Sequence, residues 1–283
     1  MIHSASLCTL GLYFTLLVLY MTMMWNARRN PRVTLVARGV LYGGVCFHSI
    51  LMGSVFKQYG LSVFESGADL FLWVSWILAL VFSFSKRFIS APIVGLLVIP
   101  LVIAFMGSSS YLMHGGVAVP RGDGSSNTSA EVFVSLAHSI PLLVVFATFA
   151  MLFIVSFVFL IIERRLRFKI RPYVETYGIS LQYLDTINRY LAQLGFIGLS
   201  LVIASGGMWA ITQHKPLSFL DPSVWIASLV WVFLGVLLHV RMNRGWSPRR
   251  LALCTVVLTG GFLISVFGIL MITGRITHDV VFS

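Results

Sequence analysis

Apolar residues fall along the chain in long unbroken runs, not in the short rhythm of a soluble strand or an amphipathic helix. Crossing a hydrocarbon core takes about 20 apolar residues in a helix. Eight runs approach that length: residues 6–24, 34–56, 68–85, 89–106, 138–162, 190–212, 223–240 and 251–273. A backbone in lipid has no water to bond, so each run predicts a helix and not a strand. The expected fold class is all-α: a polytopic transmembrane helical bundle of about eight spans, one integral membrane domain over 1–283. The opening MIHSASLCTLGLYF has no basic segment before its apolar run. It reads as a first retained span, not a cleaved signal peptide.

The polar positions between the runs predict a topology. Sixteen of the 20 basic residues follow the first, third, fifth and seventh spans, in clusters such as Arg28, Arg29 and Arg32, or Arg164, Arg165 and Arg167. Only Lys57, Arg121, Lys215 and Arg275 fall on the other side. Basic loops stay inside, so both termini are expected on the outer side. Residues 107–130 then form an outer loop. Residues 163–189 form a basic inner loop, compatible with a surface-lying amphipathic segment. The Asn127-Thr128-Ser129 sequon and the Arg121-Gly122-Asp123 tripeptide lie in the outer loop, and both are common chance patterns.

Composition agrees with this reading. Of 283 residues, 58% are hydrophobic and 10% charged, against roughly 25% charged in soluble domains. That excludes a disordered chain, a disulfide scaffold and an ordinary soluble enzyme. The net charge of +11 sits in loops that orient spans, so no nucleic-acid partner is expected; the partner implied is the lipid bilayer. Cys8, Cys46 and Cys254 are far apart in apolar runs, with no CxxC or CxxCH. They read as small lipid-facing or core residues.

Histidine carries the most chemical information. His3, His114, His138, His214 and His278 belong to the outer face or its boundary, while His48 and His239 lie inside spans. Neutral imidazole is a good axial ligand for haem iron; the bland alternative is a solvated loop histidine, or a span histidine bonded to a neighbour. His239 lies about 24 Å below the outer start of its span and His48 about 21 Å above the inner start of its own. These depths differ, so the two are not expected to share an iron. His138 opens the fifth span and His278 follows the eighth, so they share a level. The segment SGGMWAITQHKPLSFLDPSVW, 205–225, lies between them in sequence. Gly206 and Gly207 allow close packing as the sixth helix ends. Trp209, Phe219 and Trp225 suit either an interfacial aromatic belt or a flat shelf for a macrocycle. Asp221-Pro222 reads as N-cap and first helical position. At the inner face, LLHVRMNRGWSPRR, 237–250, reads as a stop signal, or as a haem entrance with His239 as ligand and arginines for the propionates.

Three ordered stretches carry a resemblance: HSIPLLVVFATFAMLFIVSFVFLIIERRLR from His138, LDTINRYLAQLGFIGLSLVIASGGMWA from Leu184, and DPSVWIASLVWVFLGVLLHVRMNRGWSPRR from Asp221. The chain resembles the cytochrome c assembly protein family, of the CcsA and HemX type, most strongly over 138–268. The segment around His48 and GLSVFESGADLFLWVSW is similar to the HemX-like branch. The resemblance implies handling of haem b in cytochrome c maturation. His138 matches the first of two outer histidines flanking a Trp-rich loop, and His278 is the candidate for the second. His239 matches a ligand within the membrane, whose partner histidine comes from another subunit. Trp209, Phe219, Asp221 and Trp225 would shape the outer pocket. The family's tryptophan loop is reduced here to Leu217, Phe219, Leu220 and Asp221, so 205–225 is a degenerate version of it.

The function expected is haem presentation at the outer face, with haem vinyl groups left open to a CxxCH peptide of apocytochrome c. The partners implied are haem, a cytochrome c assembly subunit and apocytochrome c. The protein is a candidate subunit of a haem attachment system and not an enzyme alone. The location expected is the bacterial inner membrane, with an organelle membrane as alternative. The rival reading is a HemX-like accessory protein affecting haem synthesis, favoured by the missing tryptophans and the short chain. A transporter would show inverted repeats or broken helices, and a b-type electron carrier would show histidine pairs at matched depth; neither pattern is evident.

Overall fold

The computed structural model describes residues 2–25, 31–64, 67–84, 91–114, 129–168, 179–212, 222–243 and 246–273. They form eight helices: α1 (Ile2–Trp25), α2 (Pro31–Tyr59), α3 (Gly67–Phe84), α4 (Pro92–His114), α5 (Ser129–Arg167), α6 (Leu181–Thr212), α7 (Pro222–Met242) and α8 (Pro248–Thr273). A short 3-10 turn, Gly60–Phe64, links α2 to α3. Among the described residues there is no strand. Seven helices are long and apolar enough to cross a membrane. The other, α3, has 18 residues, about 27 Å of rise, against a core of about 30 Å. The protein is an integral membrane helical bundle.

The eight predicted runs each seed one helix, but several helices overrun them. Helix α4 continues to His114, α5 begins at Ser129 and reaches Arg167, and α6 begins at Leu181. The loops expected at 107–130 and 163–189 shrink accordingly; residues 115–128 and 169–178 lie outside the described residues. Hydropathy marks where lipid touches a helix, whereas the backbone ladder runs on until a cap or breaker stops it. Ser180 is such a cap, its Oγ accepting from the Tyr183 N–H at 3.2 Å. Arg164, Arg165 and Arg167 end α5, where cations suit the helix dipole. Residues 205–212, the end of the sixth predicted run, are the last turns of α6. Helices α2, α4, α7 and α8 all open on proline, which has no N–H to leave unpaired there. Pro222 thus takes the first helical position, as Asp221-Pro222 predicts.

The helices close into two rings. Helix α1 packs on α2 and α4, and α3 on α2 and α4; α5 packs on α6 and α8, and α7 on the same two. Short connections make successive helices antiparallel. One closure of the first ring is Ser6 Oγ to Ser110 Oγ, 2.9 Å, between α1 and α4. The second closes through Phe149 and Phe262, edge to face at 4.9 Å. Helix α5 joins the rings by packing on α3 and α4 as well. Phe71 bridges them, 5.8 Å from Phe105 of α4 and 5.3 Å from Phe267 of α8. Helix backbones approach closely only where a side chain is absent. A Cβ at Gly95 would meet the Tyr20 ring at 2.6 Å, and one at Gly195 would meet Phe149 at 2.6 Å.

Candidate functional site

The bundle has two unlike ends. The basic end gathers Arg164, Arg165, Arg167, Arg241, Arg249 and Arg250 at helix termini. The opposite end holds the start of α5, the end of α6 and the bridging Phe71, Phe105 and Phe267.

His138 sits in the third turn of α5, not at its start, and its side chain is half-buried. Its Nδ1 is 3.2 Å from Ser205 Oγ on α6. That hydroxyl donates to Val202 O at 3.1 Å. Beside it, a Cβ at Gly206 would lie 3.2 Å from His138 Cε1, so the absent side chain is what lets the ring rest on α6. The expected close packing thus holds at Gly206. At Gly207 nothing lies within 4 Å of such a Cβ. Trp225 is in the first turn of α7 and is exposed. Trp209 lies in the last turn of α6, its side chain outside the described residues. Phe219, Asp221 and His278 also lie outside the described residues. Of the expected outer-pocket residues, the side chains of His138 and Trp225 are thus the described ones.

Among the described residues no group of three or more His, Cys, Asp or Glu is placed to hold a metal ion. A bare ion needs such a group. A haem iron brings four porphyrin nitrogens of its own and takes only axial ligands from the protein. One imidazole seated on a serine fits that demand.

At the basic end His239 is exposed on α7, its Nε2 2.9 Å from Asn243 Nδ2. Arg241, two residues on, is turned to α6. Its guanidinium pairs with Asp185, donates to Asp185 O at 2.8 Å and to Asn188 Oδ1 at 3.3 Å. Asn188 Nδ2 in turn donates to Ser156 Oγ on α5. Arg249 lies 3.7 Å from Glu163, which also accepts from Arg167 at 2.8 Å. Arg241 and Arg249, expected to serve propionates, are thus engaged in tying α5, α6, α7 and α8 together. Sequence spacing gave no sign of the Arg241–Asp185 pair, whose members are 56 positions apart.

His48 is fully buried in the first ring. Its Nδ1 is 3.2 Å from the Tyr13 hydroxyl of α1, and its Nε2 is 3.5 Å from Ser75 Oγ of α3. His48 and His239 therefore belong to different rings, in keeping with the expectation that they do not share an iron. Cys8 and Cys46 are exposed and Cys254 half-buried, all three unbridged.

Comparison with known proteins bears on this geometry. Residues 64–276 match the family described as cytochrome C assembly protein, a stretch that takes in α3 to α8 and both His138 and Ser205. A cytochrome c biogenesis protein CcsA of Prochlorococcus marinus (strain MIT 9312) is 36% identical over 81 residues, 29% of this chain and 25% of that protein. The CcsA protein of Synechococcus sp. (strain CC9605) is 34% identical over 76 residues, 27% of this chain and 25% of its own. The aligned stretch spans a quarter of each relative's length. With three quarters of its length inside the family's match, the chain belongs to the cytochrome c assembly protein family.

Proposed function

We propose that the protein handles haem in cytochrome c biogenesis, presenting it at the outer face of the bacterial inner membrane with both of its own termini outside. The observation that carries this reading is His138, whose imidazole lies beside Ser205 where the first turns of α5 pack on the last turns of α6, within the family's match. His138 and His278 would hold the haem iron through their imidazoles. Trp209, Phe219, Asp221 and Trp225 would line the pocket and keep water from the macrocycle. His239, at the basic end, would hold incoming haem together with a histidine from a partner assembly subunit. When bound, haem b supplies an iron for the two imidazoles and vinyl groups for the cysteines of apocytochrome c. This chain's own part is to hold and orient; the peptide comes with the partner.

The test is a spectrum. Purified in mild detergent, the protein should show a b-type reduced-minus-oxidised signal, quantified as pyridine haemochrome. His138→Ala and His278→Ala should each cut haem content about tenfold, since losing an axial bond removes most of the iron's hold on the protein. Haem content unchanged in both variants overturns the outer site. Absence of haem from the wild type, in cells with ample supply, turns the weight to a HemX-like accessory role.

A further inference from the structure

We propose that Asp185, Asn188 and Arg241 are positioning residues that fix the turn of α7 about its own axis and so hold His239 out of the bundle, where haem can reach it; the inference rests on the haem reading above. Apolar packing alone specifies this helix poorly. Among its described residues only Val230 and Leu234 are buried. With Leu238, partly buried against the core, they form an inward stripe at helical spacing. The next position on that stripe is Arg241, whose side chain is only 14% exposed. Residues two apart on an α-helix point about 200° apart. Bonding position 241 to α6 therefore turns position 239 away from α6.

The bonds that hold Arg241 run in one direction. Its guanidinium pairs with the Asp185 carboxylate and donates to Asp185 O at 2.8 Å and to Asn188 Oδ1 at 3.3 Å. A guanidinium has only donors, so the amide atom that faces it is the oxygen. The amide nitrogen is then left to donate to Ser156 Oγ, which donates on to Leu152 O at 2.7 Å. Asn188 and Ser156 are both buried. The chain of bonds ties α7 through α6 to α5, the helix that joins the two rings. His239 has the opposite surroundings. It is exposed, and its Nε2 is 2.9 Å from Asn243 Nδ2, four positions on along its own chain. Among the described residues no bond joins it to another helix. It continues the outward stripe of Leu229, Val232 and Val236, all exposed. A polar side chain on a lipid-facing stripe is costly, and the clamp on the opposite face of α7 is what keeps this one there.

The full chain in mild detergent tests the inference by two readouts. With Cys8, Cys46 and Cys254 replaced by alanine, His239→Cys and Leu238→Cys are labelled separately with a water-soluble maleimide. While Arg241 is in place, position 239 should react about tenfold faster than position 238, because nearly all molecules present it outward. Arg241→Ala should bring the two rates close to equal. Asp185→Arg combined with Arg241→Asp, which exchanges the charges but keeps the pair, should recover the difference. An unchanged ratio in Arg241→Ala overturns the inference; if that variant fails to fold, an unchanged ratio in Asp185→Ala does so. Haem retention is the second readout, in a His138→Ala, His278→Ala background that leaves His239 to hold it. Arg241→Ala should weaken retention about tenfold, as the fraction of molecules presenting His239 falls, and the exchanged pair should restore it. Loss that a folded exchanged pair does not restore would make Arg241 itself a contact for haem and overturn the positioning role. His239→Ala separates the two levels. If it leaves the haem content of that background unchanged, the haem reading at the basic end has failed; if it loses haem while the labelling ratio holds in Arg241→Ala, only the positioning role has failed.

Discussion

His48 and His138 are held by one device in two settings. Each imidazole meets a serine whose hydroxyl is donated to the carbonyl three residues earlier: Ser75 to Leu72 at 2.7 Å, Ser205 to Val202 at 3.1 Å. In both cases a ring nitrogen lies beside that serine oxygen, at 3.5 Å for His48 and 3.2 Å for His138. The surroundings then differ. His48 is closed off within the first ring, its second nitrogen taken by the Tyr13 hydroxyl at 3.2 Å and its surface fully buried. His138 lies half-buried near the end of the second ring, against a glycine. A histidine with both nitrogens bonded inside the protein is part of the packing. His138 instead keeps part of its ring exposed near the start of α5. The contrast extends to charge: the basic-end ion pairs Arg241–Asp185 and Arg249–Glu163 both belong to the second ring.

The sharpest way to break this comparison is His48→Ala. The change empties a fully buried site and leaves the Tyr13 hydroxyl without its imidazole partner, at a cost of about 3 kcal/mol. Thermal unfolding in detergent should fall markedly, while haem per folded molecule stays at the wild-type level. Loss of haem from a folded, monodisperse His48→Ala protein would make His48 a ligand and end the distinction between the two histidines.

Glycine substitutions probe the packing of each ring. Gly95→Ala drives a methyl into the Tyr20 ring, with three ring atoms at 2.6–2.7 Å; Gly195→Ala meets Phe149 at 2.6 Å by one atom and at 3.1 Å by the next. Tyr20 is fully buried and meets the methyl broadside, so it has no tilt that relieves the contact. Phe149 meets it by an edge. Overpacking of this kind costs about 1–3 kcal/mol, with Gly95→Ala expected near the top of that range and Gly195→Ala near its middle. Melting temperatures of the two variants in the same detergent give the order. A reversed order would mean that the second ring, and not the first, is the more rigid.

Much of this architecture was legible in the chain. Long apolar runs predict eight helices because lipid leaves the backbone no other way to pair, and Pro222 marks the start of α7 as its position after Asp221 suggests. Helix ends were less legible. The overhang of α5 to Ser129 and the start of α6 at Leu181 lie in polar sequence, where the cap at Ser180 and packing decide. His138 was visible as a candidate because an imidazole at a span boundary is unusual. Its seat was not. Ser205 belongs to a Ser-Gly-Gly sequence that signals close packing, but which ring it meets depends on the register of α5 against α6. The partners of His48 on α1 and α3, and the pairing of Arg241 with Asp185, are hidden for the same reason: a linear pattern says which face of a helix is polar, not which neighbour it faces.

The smallest expected effect compares two indoles. Trp76 of α3 donates to Ser49 Oγ on α2 at 2.9 Å, and Trp231 of α7 donates to Ser200 Oγ on α6 at 2.8 Å. Each serine returns its own proton to its helix, Ser49 to Val45 O and Ser200 to Phe196 O. Replacement by phenylalanine removes one inter-helix bond and leaves neither serine without a partner, so the loss stays near the ~0.6 kcal/mol average for such bonds in membranes. The rings differ in what remains. Trp231 stacks on Phe196 at 5.3 Å and 16°, an arrangement a phenyl ring can keep. Trp76 meets Trp73 edge to face at 5.7 Å, where the longer indole fills the contact. Trp76→Phe should therefore cost about 1 kcal/mol and Trp231→Phe about 0.5 kcal/mol. Double-mutant cycles with Ser49→Ala and Ser200→Ala isolate the bond from the packing. Equal coupling energies with unequal total losses would place the difference in ring packing. A costlier Trp231→Phe would instead show that α7, the most exposed helix, owes its place in the bundle to that one bond.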